Sequence, residues 1–218
     1  MSRIEKNQPA TVEATEQKKR RMSWRTWVVL FVFFVIFAII AFVTWTLAAT
    51  GLVNVPIISG WAYAVPSPSR VVEEGIPFET VVGQQALSSF LSIPETTLTT
   101  ELRDSLETSG QTFVEADRSQ VAVIADSGIE LFLPLRDNAQ DTAIVVRLRL
   151  SVVDGTPTAT AEAVSVGSWK LGGWLRAGIV NPALGAILDA AVREMKGSVV
   201  VSSVREGDGV LLVNVANP

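Results

Sequence analysis

The sequence predicts an α+β protein: one N-terminal transmembrane helix, then an ectodomain whose curved antiparallel sheet is packed by helices. Three observations lead there. An uncharged apolar run extends from Trp27 to Ala49, apolar strand-like runs, one of them with a clear period of two, joined by Gly-containing turns fill the middle and end of the chain, and an apolar stripe at helical spacing lies between Asn181 and Gly197. The implied divisions are a basic tail over 1–25, the transmembrane helix over 26–50, a linker over 51–70 and an extracytoplasmic domain over 71–218, one core's worth of chain.

The tail carries seven Lys and Arg against three Glu, so the rest of the chain carries −8 to give the overall −4. Residues 1–17, rich in Gln, Glu, Thr and Asn, show no apolar periodicity and are expected to be disordered. Lys18, Lys19, Arg20, Arg21 and Arg25 stand immediately before the apolar run, and Arg70 is the first positive charge after it. The positive-inside rule therefore sets the N-terminus in the cytoplasm and the domain outside the cell membrane. The Lys18–Arg21 cluster reads as a topology signal; the alternative is a regulated lipid-binding switch.

From Trp27 to Ala49 no residue is charged. At about 1.5 Å per residue the run measures roughly 35 Å, enough for a hydrocarbon layer of about 30 Å. A lone segment in lipid must satisfy its own backbone, so it must be helical. Trp24 and Trp27 at one end and Trp45 near the other match the aromatics expected at headgroup level, with Trp61 and Tyr63 extending the outer belt. The competing reading is a signal peptide cleaved near Ala62-Tyr63-Ala64 or Ala48-Ala49; a signal core of about 7–15 residues is much shorter than this run, so a retained signal-anchor is expected. Pro56, Gly60, Pro66 and Pro68 then mark a tether, whose Val53, Val55, Ile57 and Ile58 are apolar enough to lie against lipid or dock on the domain.

The outer domain is expected to begin with a strand from about Val71. A helix over Gly83–Ile93 follows, with Leu87, Phe90 and Leu91 on one face, and a second carries Leu98, Leu102 and Leu106 before Gly110. Val121–Ala125 and Ile129–Leu135 flank Asp126-Ser127-Gly128 as a hairpin. Ile144, Val146, Leu148, Leu150 and Val152 alternate with a largely polar set, turn at Asp154-Gly155 and return over Thr158–Val166. Asn181-Pro182 reads as a helix start, with Leu184, Ile187, Leu188, Ala191, Val192 and Met195 forming one stripe. Val199–Val204 and Val210–Val215, joined by Glu206-Gly207-Asp208-Gly209, close the chain as a hairpin.

The chain has no Cys and no His, which removes disulfides, thiol nucleophiles, imidazole or thiolate metal sites and His-based triads. No G-x-S-x-G, S-x-x-K, P-loop or G-x-G-x-x-G motif occurs. Glu73-Glu74 is a solvated pair beside the linker, and one Glu with one Asp in the run 203–209 cannot supply the six to eight oxygens that calcium takes. No catalytic residue, metal ligand or cofactor is expected, and the acidic ectodomain does not suit nucleic acid.

The order of elements, with Val164-Ser165-Val166-Gly167 ending a strand ahead of a helix and a Gly-turned terminal hairpin, resembles the YpmS-like family of single-pass bacterial envelope proteins. The family's early strand leading into a helix is matched to Val81–Leu91. Leu171-Gly172-Gly173-Trp174 departs from it where a Pro-containing helix entry is expected. A more distant similarity is to the mycobacterial phospholipid-binding LmeA type. The resemblance covers roughly residues 71–215. It implies a curved sheet and helix fold like domains that hold lipid in a groove, and it implies no catalytic residues.

Two functions follow as expectations. In the first, the domain binds a lipid or other apolar envelope ligand in a groove lined by Ile144, Val146, Leu148, Leu175, Ile179, Leu184 and Leu188, with Trp169 and Trp174 gating it or entering a membrane surface. In the second, a non-catalytic assembly protein recruits other envelope proteins through exposed loops and edges. Arg147 and Arg149, on one strand face, would clamp a phosphate or pair with acids such as Glu162.

Overall fold

The computed structural model describes residues 24–85, 90–153, 155–173, 176 and 200–216. The chain divides into two compact units, the first ending at Ala41 and the second beginning at Phe42. Helix α1 (Trp24–Thr50) covers the apolar run, and at about 1.5 Å per residue it is about 40 Å long. A soluble core helix would hide such a surface. Here none of the apolar window is buried, and among the described residues α1 is the one helix long and apolar enough to cross a membrane.

The second unit contains short helices α2 (Ser59–Ala62) and α3 (Phe78–Gln85), strand β1 (Phe90–Pro94), helix α4 (Glu95–Thr108) and a 3₁₀ turn at Ala116–Arg118. Strands β2 (Gln120–Ile124), β3 (Gly128–Pro134), β4 (Ala143–Val153), β5 (Thr156–Val166) and β6 (Trp169–Lys170) follow, and then β7 (Val200–Glu206) and β8 (Val210–Ala216). They form two antiparallel sheets, one of five strands in the order β2-β3-β4-β5-β6 and one of three in the order β1-β8-β7. The α+β class and all three expected hairpins are present. The helix expected after Asn181 lies outside the described residues.

The region before α4 differs from expectation. No strand starts at Val71. The helix expected over Gly83–Ile93 instead ends at Gln85, and Phe90–Pro94 is a strand paired with β8, from Phe90↔Asn214 to Pro94↔Val210. Gln85 ties the end of α3 to β1, accepting from the Ser92 amide at 2.7 Å and donating to its carbonyl at 3.1 Å. The cause is long-range: the apolar positions satisfy either period locally, and pairing with the distant β8 decides between them. Val81–Gln85 is helical and Phe90–Leu91 is in a strand, where the resemblance matched an early strand leading into a helix; residues 86–89 lie outside the described residues.

α4 protects a sheet edge. Leu98 and Leu102 pack on the core as their spacing predicts, but the fully buried side chains are Thr97 and Thr99. Thr99 Oγ1 accepts from the Val121 amide at 3.0 Å, and Glu95 Oε2 accepts from the Val123 amide at 3.0 Å. Four helical residues rise about 6 Å and two strand residues about 6.7 Å, so an i,i+4 pair on a helix can serve an i,i+2 pair on a strand. The Gly209 amide donates to the Val123 carbonyl at 3.0 Å, and its own carbonyl accepts from the Glu95 amide at 3.0 Å, which ties the β7–β8 turn to the same edge. The outer strand β2 is thereby closed to further strand addition along these positions.

Ile93, Val121, Val123, Ile129, Val146, Leu148, Ala161, Val164 and Leu211 form the core, drawing on both sheets. Gly128 begins β3 at φ +86°, where a Cβ would stand 2.1 Å from the Leu148 carbonyl oxygen; no side chain fits between these strands.

Candidate ligand site on the outer face of the sheet

The second face of the five-stranded sheet carries Glu130 and Phe132 from β3, Val145, Arg147 and Arg149 from β4, and Ala163 and Ser165 from β5, as the register dictates. Part of it is covered. Residues 64–75, expected as part of a tether and the start of the domain, run over this face as a strap held by side chains. The Ala64 amide donates to Ser168 Oγ at 2.8 Å, and the Val72 amide donates to Gln120 Oε1 at 2.9 Å. Glu130 is the main anchor. It is 3% exposed, and its carboxylate accepts from the Ser69 amide at 2.8 Å, the Ser69 hydroxyl at 2.7 Å and Arg147 Nε at 3.1 Å. Phe132, beside it on this face, is also buried.

A bulge shapes the uncovered part. The β4–β5 ladder steps from Arg147↔Ala163 to Leu148↔Ala161, so Glu162 has no partner across the ladder. Its carboxylate pairs with Arg149, and its carbonyl oxygen accepts from Arg176 Nη1. Gly167 and Ser168 turn the chain so that β6 returns along β5 with Ser165↔Lys170, and the Leu171 amide closes on the Val164 carbonyl at 2.8 Å.

Between these elements lies a cavity of about 300 Å³, lined by Val145, Ala163, Val164, Leu171 and Ser165 together with Arg147, Lys170 and Arg176. Its chemistry is apolar side chains beside three cations, with no carboxylate among the described lining residues. Arg147 and Arg176 each use one nitrogen within the protein, while Lys170 makes no ion pair among the described residues. Such a site suits a small anionic group attached to an apolar body. No group of acids capable of holding a metal ion occurs among the described residues.

The expected groove residues distribute differently. Val146 and Leu148 belong to the buried core, and Ile144 packs against it; they lie on the face opposite Arg147. Trp169 is half-buried on β6, opposite Val166. Trp174, Leu175, Ile179, Leu184 and Leu188 lie outside the described residues. Of the membrane-interface residues, Trp24, Arg25, Trp27 and Trp45 are exposed on α1, and Lys18, Lys19, Arg20 and Arg21 lie outside the described residues. The pairing of Arg149 with Glu162 was legible from hairpin spacing. Arg176 was not, because nothing in the sequence reveals the bulge whose free carbonyl it takes.

The end of α1 is built into the same unit. A helix leaves its last carbonyls without intrahelical donors. Here Ala49 O accepts from the Ser168 amide at 2.9 Å and Thr50 O from the Thr142 hydroxyl at 2.8 Å. The Tyr63 hydroxyl donates to Gln140 O at 2.8 Å and lies 2.8 Å from Thr142 Oγ1. Burial raises the Tyr63 pKa above its usual value, and nearby Asp141 adds to this, while the Thr142 hydrogen bond works in the opposite direction.

No protein-family model matches the sequence, and no curated protein matches it either. Among solved structures, a crystal structure of lipopolysaccharide binding protein aligns with a TM-score of 0.33 and 13% identity over 59% of this chain. The alignment spans 49% of that protein, about half its length.

Proposed function

We propose that this chain is a single-pass cell-envelope protein, N-terminus in the cytoplasm, whose outer domain holds the anionic head of an amphiphilic lipid. The observation that supports it is the cavity beside Lys170, Arg176 and Arg147, the last already paired with Glu130, where cations stand next to apolar side chains and no carboxylate is among the described lining residues. A volume of about 300 Å³ accepts a headgroup or a short stretch of acyl chain and not a whole lipid, so the remainder of the ligand stays outside. α1, long and apolar enough to cross a membrane, would keep the domain near its source of ligand. The second reading, a non-catalytic assembly protein that recruits envelope proteins, draws on the core around Val146 and Leu148, which is buried beneath the protein's own side chains.

The test is native mass spectrometry of the intact chain in detergent, titrated with phosphatidylglycerol and with phosphatidylcholine. Selective retention of the anionic lipid is expected. Lys170→Glu should weaken it about tenfold or more, the equivalent of one charge-assisted hydrogen bond. Equal, weak retention of both lipids, unchanged by Lys170→Glu, would favour the assembly reading.

A further inference from the structure

Between Arg25 and Arg70 the sequence holds no charged side chain, although α1 ends at Thr50. The uncharged stretch therefore continues well beyond the helix, through a loop and α2. Side chains there sort into two sets. Ser59 is buried, Val55 and Ile58 are half-buried, and Leu52, Val53, Ile57 and Trp61 are exposed, with Ile57 at 83% and Trp61 at 85%. An exposed Ile and Trp, with no charge nearby in sequence, are costly in water and favourable at a lipid headgroup layer.

The loop is ordered by its own backbone. The Val55 amide donates to Ser59 Oγ at 2.8 Å, the Ser59 amide returns to Val55 O at 2.9 Å, and the Trp61 amide donates to Ile58 O at 3.0 Å. Ile57 sits at φ +71°, a left-handed conformation that is a genuine outlier for a β-branched residue and strains the backbone there. That conformation leaves Ile57 almost fully exposed, so burial within this chain does not compensate the strain.

We infer that Leu52, Val53, Ile57 and Trp61 form a second lipid-contacting element, a loop seated in the headgroup layer at the membrane face where the C-terminal end of α1 emerges. The inference rests on α1 spanning the membrane. What supports the occupant is continuity: the loop begins one residue after the helix, carries no charge, and presents an indole of the kind that anchors proteins at membrane interfaces.

The chain has no native cysteine, so single cysteines report unambiguously. The full-length variants Trp45→Cys, Ile57→Cys and Trp61→Cys would carry an environment-sensitive label in proteoliposomes of phosphatidylethanolamine and phosphatidylglycerol. Quenching by nitroxide lipids would be compared with quenching by aqueous iodide. Lipid quenching several-fold above iodide quenching is expected at both 57 and 61. If position 45 is lipid-quenched while 57 and 61 respond to iodide, the loop proposal fails and the anchor stands. Protection of 57 and 61 from both quenchers would mean burial against protein and overturns the proposal as well. Loss of lipid quenching at 45 removes the anchor on which it rests. Val53→Cys supplies an independent reading should Trp61→Cys fail to fold.

Discussion

On the even-numbered face of β4, Val146 and Leu148 are 8% and 7% exposed and meet Ile93, Val121 and Leu211 in the core. On the odd-numbered face of the same strand, Arg147 and Arg149 are more than half exposed and pair with Glu130 and Glu162. The apolar face, where a ligand groove would be sought from pattern alone, is filled by the protein's own side chains. The face that reads as merely solvated carries the cavity. Alternation thus identifies which residues leave water together, but the charged part of the proposed ligand would need the other side of the pleat.

The two faces should differ most in what a truncation costs on the apolar side. Leu148→Ala should cost about 2–5 kcal/mol through lost burial and an unfilled cavity. Arg149→Ala, which removes an exposed ion pair on the other face, should stay within about 1 kcal/mol. Thermal or denaturant unfolding of the detergent-solubilised chain, followed by circular dichroism, would resolve the two, and comparable losses would mean that both faces are packed alike.

An intermediate effect is expected where the polar face behaves like a core. Glu130→Ala removes the acceptor for Ser69 and Arg147 and should cost about 2 kcal/mol. Protease cleavage within residues 64–75 should become faster as the strap loosens, and unchanged cleavage would show that Glu130 does not hold it.

The smallest effect is a titration. Tyr63 is the only tyrosine, so alkaline absorbance reads it alone. Because its pKa is raised in the folded protein, its midpoint should lie above about 10, the value of a free phenol. The associated stabilisation is fully present below the unfolded-state pKa and is lost as pH rises through the folded one. A midpoint at the free value, in a chain still folded, would remove Tyr63 from the junction with Thr142.

Much of this was legible along the chain. An uncharged run long enough to cross a bilayer can satisfy its backbone only as a helix, so α1 needed no tertiary information. Alternation along β4, apolar β-branched runs elsewhere and Gly-containing turns specified β2–β3, β4–β5 and β7–β8, because side-chain pattern and turn chemistry are local properties. Three decisions were not local. Phe90–Pro94 became a strand because β8 offered it a partner; residues 64–75 became a strap because Glu130, Gln120 and Ser168 offered acceptors to its backbone; and Arg176, beside the cavity, is held by the carbonyl of Glu162, the one residue of β5 that falls out of register. Proline and glycine announce irregular backbone without telling where its hydrogen bonds will go, and a bulge leaves no mark in an apolar pattern. The helix and the hairpins follow from local chemistry along the chain, whereas which face of the sheet stays open depends on what the rest of the fold brings to lie against it.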